Sequence, residues 1–132
     1  MSRSIRERDR GESTVQAVLV LPVILTILFM GAHLTAYARG SQVANAAALR
    51  GAQVAASVEP DSTGTWATLR EIDTVVADLG FRAAAAPEIE VGPQDARVTV
   101  SLVINRVVPF LPGVVTRSAQ VPREIFLRAQ DR

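Results

Sequence analysis

The amino-acid sequence predicts an α+β protein. It has one long N-terminal helix that begins as a membrane span, a second helix, and a small three-stranded antiparallel sheet. Two observations carry this. An uncharged run from Ser13 to Ala38 exceeds the roughly 20 residues an α-helix needs to cross a bilayer. From Glu88 onward the apolar period changes from 3.6 to 2, which marks strands.

The chain divides into a basic leader (1–12), the span (13–38), an extension of the same helix (39–58) and a small outer α+β domain (59–132). Arg3, Arg6, Arg8 and Arg10 precede the span and Arg39 follows it. By the basic-side rule, this places the N-terminus inside and the domain outside. A core helix of a soluble protein would need a polar face, and this run is apolar all round. Pro22 is acceptable in a membrane helix and suggests a bend. A second reading remains open. Ala36-Tyr37-Ala38 matches the A-x-A pattern of a cleaved signal peptide, which would release a secreted binding domain.

Residues 39–57 are rich in Ala and Val, without proline, and continue the helix to about 65 Å. Val43, Ala47, Arg50 and Val54 fall on one face, with Gly51 beside them, and Gly40 and Gly51 are its weak points. Ala47 and Gly51 form a small-residue face of the kind that lets helices approach closely. The stretch from Glu59 to Gly64 breaks the helix. Thr65 to Leu79 reads as the second helix, with Leu69, Ile72, Val76 and Leu79 inward and Gly80 as its stop. Trp66 is expected to be a core or interface anchor. Ala83 to Ala86 is ambiguous. The strands are 88–91, 97–108 and 114–125, with Val98, Val100, Leu102 and Ile104 on one face and Pro122 marking an edge or an end. A polar tail follows Phe126.

Composition excludes several classes. Residues 39–132 carry ten arginines and ten acids, so the outer domain lacks the basic face of a nucleic-acid binder. The chain has no cysteine, hence no disulfide and no thiolate metal site. His33 is the single histidine and lies inside the span, so it has no partners for a metal site or a catalytic triad. Glu88 and Glu90 alternate with Ile89 and Val91, as on a solvated strand face. No enzyme, no cofactor and no small-molecule substrate is expected. All fourteen basic residues are Arg, a bias of GC-rich bacterial genomes.

The order of these segments resembles a known family. Arg10-Gly11-Glu12-Ser13-Thr14-Val15-Gln16-Ala17, then Val18-Leu19-Val20-Leu21-Pro22-Val23, resembles the start of TadE-like, pilin-related proteins of tight-adherence (Flp) pilus systems. Ala47-Ala48-Leu49-Arg50-Gly51-Ala52 and the later Pro109-Phe110-Leu111-Pro112-Gly113 break are similar to that family too. The resemblance implies a structural or assembly subunit of a bacterial pilus or secretion apparatus. Its partners would be the membrane and other pilin-like subunits or platform proteins. Gly11 and Glu12 match the processing junction of members that a prepilin peptidase cuts. Gln16 stands where such members commonly carry Glu, and an amide cannot neutralise the N-terminal ammonium of a neighbour. An uncut, membrane-resident accessory subunit is thereby favoured. A bitopic envelope protein unrelated to pili uses the same helix and stays open as an alternative.

Overall fold

The computed structural model describes the backbone of residues 4–123 and the side chains of residues 14–123. Helix α1 runs from Ser4 to Ser57 without interruption. It therefore starts before the expected boundary at Ser13, because Arg and Glu in the leader are good helix formers and nothing before Gly11 breaks the pattern. Pro22 sits inside the helix. Residues 1–3 and the expected tail after Phe126 lie outside the described residues.

Helix α2 spans Ser62–Asp78. Asp61 caps its N-terminus in extended conformation, its carboxylate accepting from the Gly64 amide at 2.7 Å. Gly80 ends it with a φ of 74°, a left-handed position that glycine takes without steric cost.

The sheet contains β1 (Arg82–Ala83), β2 (Glu88–Val91), β3 (Asp95–Val103) and β4 (Val114–Pro122). β3 is central. β1 and β2 pair antiparallel with opposite ends of one of its edges, and β4 pairs along the whole of the other, from Asp95↔Pro122 to Val103↔Val114. The expected meander is present, and the ambiguous stretch at Ala83 adds a fourth, two-residue strand. β3 stops at Val103, five residues before the expected Val108; β4 stops at Pro122, which has no amide hydrogen to carry the ladder on. The last expected strand positions, 124 and 125, lie outside the described residues.

Alternation on β3 puts Ala96, Val98, Val100 and Leu102 on the helix side, all fully buried. The opposite face stays polar, with hydroxyl pairs Thr99–Ser118 and Ser101–Thr116 across the strands. The outer part of α1 lies across β3 and β4, with α2 alongside. Its buried face is Ala44, Ala47, Ala48, Gly51, Ala52 and Ala55. Arg50 is exposed, so the expected face was rotated, since only the smallest side chains fit this close approach. At Gly51 a Cβ would come within 2.7 Å of Ile72 Cγ1 and 3.2 Å of Val98 Cγ1. At Gly40 it would come within 2.5 Å of Ile104 Cγ2. These glycines are points of closest packing, and α1 runs through them without interruption.

Two expectations for α2 are corrected. Trp66 is 72% exposed, which removes the core half of its expectation and leaves the interface half, and Leu79, expected inward, is 53% exposed. Ile72 and Val76 are buried as expected, Thr68 fills the core beside them, and the Thr68 hydroxyl donates to the Gly64 carbonyl at 2.9 Å. A buried threonine that bonds its own helix backbone leaves no polar group orphaned, so it substitutes for an apolar residue.

Candidate functional site

Two features of the molecule bear on function: the inner half of α1, and the end of the head that faces it. From Thr14 to Ala32 every residue of α1 is exposed. Large apolar side chains such as Leu19, Ile27 and Leu28 are each more than 60% exposed. The segment is long and apolar enough to cross a membrane, and none of its most apolar window is buried. Two hydroxyls in and just after this stretch turn back onto the helix backbone. Thr26 Oγ1 donates to the Pro22 carbonyl at 2.7 Å and Thr35 Oγ1 to the Gly31 carbonyl at 2.9 Å. That is how polar groups persist where no water is available.

Gln16 is exposed near the start of this stretch. Gly11 and Glu12 lie within the helical backbone of α1, and so do Ala36, Tyr37 and Ala38. Both expected cleavage junctions are thus in continuous helix, and Tyr37 packs against the core of the head. The small-residue face at Ala47 and Gly51, read from sequence as a surface for neighbouring helices, is covered by this chain's own α2 and β3. It cannot serve another subunit while the head is folded.

His33 departs from its surroundings. It is 2% exposed although Ala32 and Leu34 beside it are exposed, and its Nδ1 has no hydrogen-bond partner. It lies on the stripe that continues through Tyr37, Gly40, Ala44 and Ala47, the face that the sheet covers. The head reaches along α1 past Gly40 to Tyr37, which packs on its core, and to Ala36, which shares a groove with Phe81 and Ile104, inside the uncharged run.

The polarity of the sheet explains which part of the head does so. Val98 packs at Gly51 and Ile104 packs at Gly40, so β3 runs antiparallel to α1 and ends toward the apolar half of the helix. The connection from β3 to β4, residues 104–113, consequently forms the inner end of the head. It is closed by Ile104 N–H donating to the Gly113 carbonyl and tightened by Leu111 N–H to the Val108 carbonyl. Phe110 at its tip is 91% exposed. Beside it an open groove runs along α1, lined by Ala36, Arg39, Phe81, Arg82, Ile104 and Asn105. Arg106 folds over Gly113, with its Nε where a Cβ would stand. In the sequence the first half of this connection reads as strand and the rest only as a breaker. Its signal was an aromatic and a leucine held between two prolines, which no periodicity can place.

Among the described residues, no three His, Cys, Asp or Glu side chains converge to hold a metal ion. Comparison with protein-family models, with curated proteins and with solved structures finds no match to this chain.

Proposed function

We propose that this chain is a single-pass membrane protein with a structural role. Residues 13–38 span the bacterial cytoplasmic membrane, with the N-terminus inside and the head outside. The single observation that carries the reading is the division of α1: its apolar half is bare, while its outer half packs one face into the head. A bare apolar helix of this length is stable only in lipid or against other apolar helices. Flanking arginines supply the orientation. The TadE-like resemblance supports a role as a minor pilin-like or accessory subunit of a tight-adherence, type IV-like pilus or secretion apparatus. Its partners there are other pilin-like subunits or platform proteins, met through the inner half of α1. The head has no role for a substrate or cofactor in this reading.

Fractionation of the native host combined with intact mass and N-terminal sequencing tests it. A membrane-bound chain starting at Met1 or Ser2 is the expected result and makes it an uncut accessory subunit. A start at Glu12 instead makes it a processed pseudopilin. Soluble material starting at Arg39 overturns the membrane reading. Packing of Tyr37 against the core argues against that outcome, because a peptidase would have to unwind a helix that the head holds. Co-purification with a pilus platform protein then separates the pilus role from an unrelated bitopic protein.

A further inference from the structure

We propose that the inner end of the head is a lipid-binding foot, resting on the same bilayer that α1 crosses. The proposal rests on the membrane reading of residues 13–38 and goes beyond it, since a span alone requires nothing of the head. Three observations converge.

The first is level. His33 belongs to the uncharged run, yet it is 2% exposed, and one turn further out Tyr37 packs on the core of the head while Ala36 lines a groove with Phe81 and Ile104. Gly40, where Ile104 packs, lies seven residues further out, or about 10 Å along the axis. The inner end of the head thus descends past Arg39 to the depth at which the helix enters lipid. No water layer of appreciable thickness separates the two.

The second is the tip itself. Phe110 is 91% exposed, with Val107 at 40% beside it, and both lie on the 104–113 connection that faces the membrane side. Apolar side chains at the edge of a membrane-bound domain bury into the headgroup and acyl boundary, by roughly 5–10 Å for interfacial segments. Two prolines and the Ile104–Gly113 bond hold this tip in shape, so little conformational entropy opposes insertion.

The third is charge. Arg39 and Arg82 line one groove at this end, and Arg106 lies across Gly113 next to it. Among the described residues none of the three has an ion-pair partner, and the acid nearest to Arg82 along the chain is Asp78, at the end of α2. The carboxylates of Glu59, Asp61, Glu90 and Asp95 lie at the opposite end, with the α1–α2 turn and the outer end of the sheet. Arg97 and Arg123 stand among those outer carboxylates and Asp78 stands near the inner arginines, so the inner end keeps an excess of basic groups and the outer end an excess of acidic ones, basic end toward the membrane. Guanidinium groups match phosphate geometry in two-pronged contacts. The ligand chemistry is a lipid phosphate, with anionic headgroups preferred.

The test uses the full chain in phosphatidylcholine vesicles, with and without phosphatidylglycerol, and bromine-labelled acyl chains as depth-dependent quenchers. Trp66 is retained in the wild type as a reference, since it is exposed on the head. In a Trp66→Phe background, Leu25→Trp reports the span and Phe110→Trp reports the foot. Circular dichroism confirms that each variant is folded. We expect deep quenching at position 25, shallow quenching at position 110 and none at Trp66. Replacing Arg39, Arg82 and Arg106 together by Gln shifts the docked-to-undocked ratio of the head in phosphatidylglycerol vesicles by about fivefold per arginine. Quenching at position 25 with none at position 110 overturns the foot and leaves the span standing. Absence at both positions overturns both. Shielding of the Phe110→Trp probe that appears only at high protein-to-lipid ratio assigns the tip to a second copy and also overturns the proposal.

Discussion

Within one helix, α1, the inner and outer halves obey opposite rules. From Thr14 to Ala32 the large side chains point outward and nothing covers them. From Gly40 to Ala55 the face that matters is built of Gly and Ala, and it is buried to 0–2% at Ala44, Ala47, Ala48, Ala52 and Ala55. The backbone is the same throughout. What differs is the surroundings each half suits: the inner half is long and apolar enough to cross a membrane, and the outer half lies against a sheet. In lipid the helix gains by presenting bulk, because tails pack against Leu and Val as well as protein does. Against a sheet it gains by presenting nothing, so that the larger side chains of β3 and α2 supply the volume.

The strongest way to break this contrast is to remove volume from the supplying side. Ile72 and Leu102 are the largest fully buried side chains of the head. Either one changed to Ala creates a cavity against a helix that cannot move in to fill it, and should cost about 2–5 kcal/mol. Leu25→Ala, at 41% exposure in the inner half, should leave the head's melting unchanged. Thermal unfolding in detergent micelles, followed by near-ultraviolet circular dichroism, reads both. An equal loss in the two halves would mean that α1 and the head unfold as one unit.

A second comparison adds volume instead. Gly51→Leu drives a side chain into Ile72 and Val98, whose atoms stand 2.7 Å and 3.2 Å from the first new carbon. Overpacking of this kind costs about 1–3 kcal/mol, and the helix propensity gained over Gly returns at most about 1. Gly31→Leu meets nothing within 4 Å and should be silent for the head. The same substitution thus destabilises the head at one position and leaves it unchanged twenty residues away on the same helix.

How much of this was legible in sequence follows from the same contrast. The inner half reads directly as a helix long and apolar enough to cross a membrane, because the run holds no charge and is apolar all round. The β3 pattern was equally plain, since Val98, Val100, Leu102 and Ile104 alternate cleanly and all four are buried. The outer half of α1 was harder. Ala carries almost no facial signal, so a face centred on Arg50 looked as good as the true one one step away. Trp66 misled for a related reason: size argues for burial, but Thr68 occupies the inward position of that turn and Trp66 points out. The inner end of the head was invisible. Residues 104–113 have no period, and Arg39, Arg82 and Arg106 come together only through the fold.

The turn that ends α1 offers a smaller test. Asp61 both follows the helix break and caps α2 through the Gly64 amide at 2.7 Å. Asp61→Ala should cost about 1 kcal/mol. Asp61→Asn keeps an acceptor and should recover most of it, which separates capping from charge. Equal losses for both variants would assign the effect to the carboxylate's charge near the helix terminus.

The smallest expected effect sharpens the comparison most, because it concerns one kind of hydroxyl in two surroundings. In the inner half, Thr26 and Thr35 turn their hydroxyls back onto their own helix. In the outer half, Ser41 instead accepts from Arg117 Nε on β4 at 2.8 Å, tying helix to sheet one residue beyond Gly40. Arg117 also donates to the Thr116 carbonyl at 3.1 Å, so losing Ser41 does not leave the guanidinium without a partner. Ser41→Ala should therefore cost the head only about 0.5–1 kcal/mol. Thr26→Val should cost it nothing, since that bond is local to the span. A double substitution with Arg117→Ala checks the assignment. If the two losses at Ser41 and Arg117 simply add, the bond contributes nothing and the seam is held by packing alone. If the second loss largely vanishes after the first, the change of partner from backbone to sheet marks the point where α1 passes from its bare apolar half into the packed head.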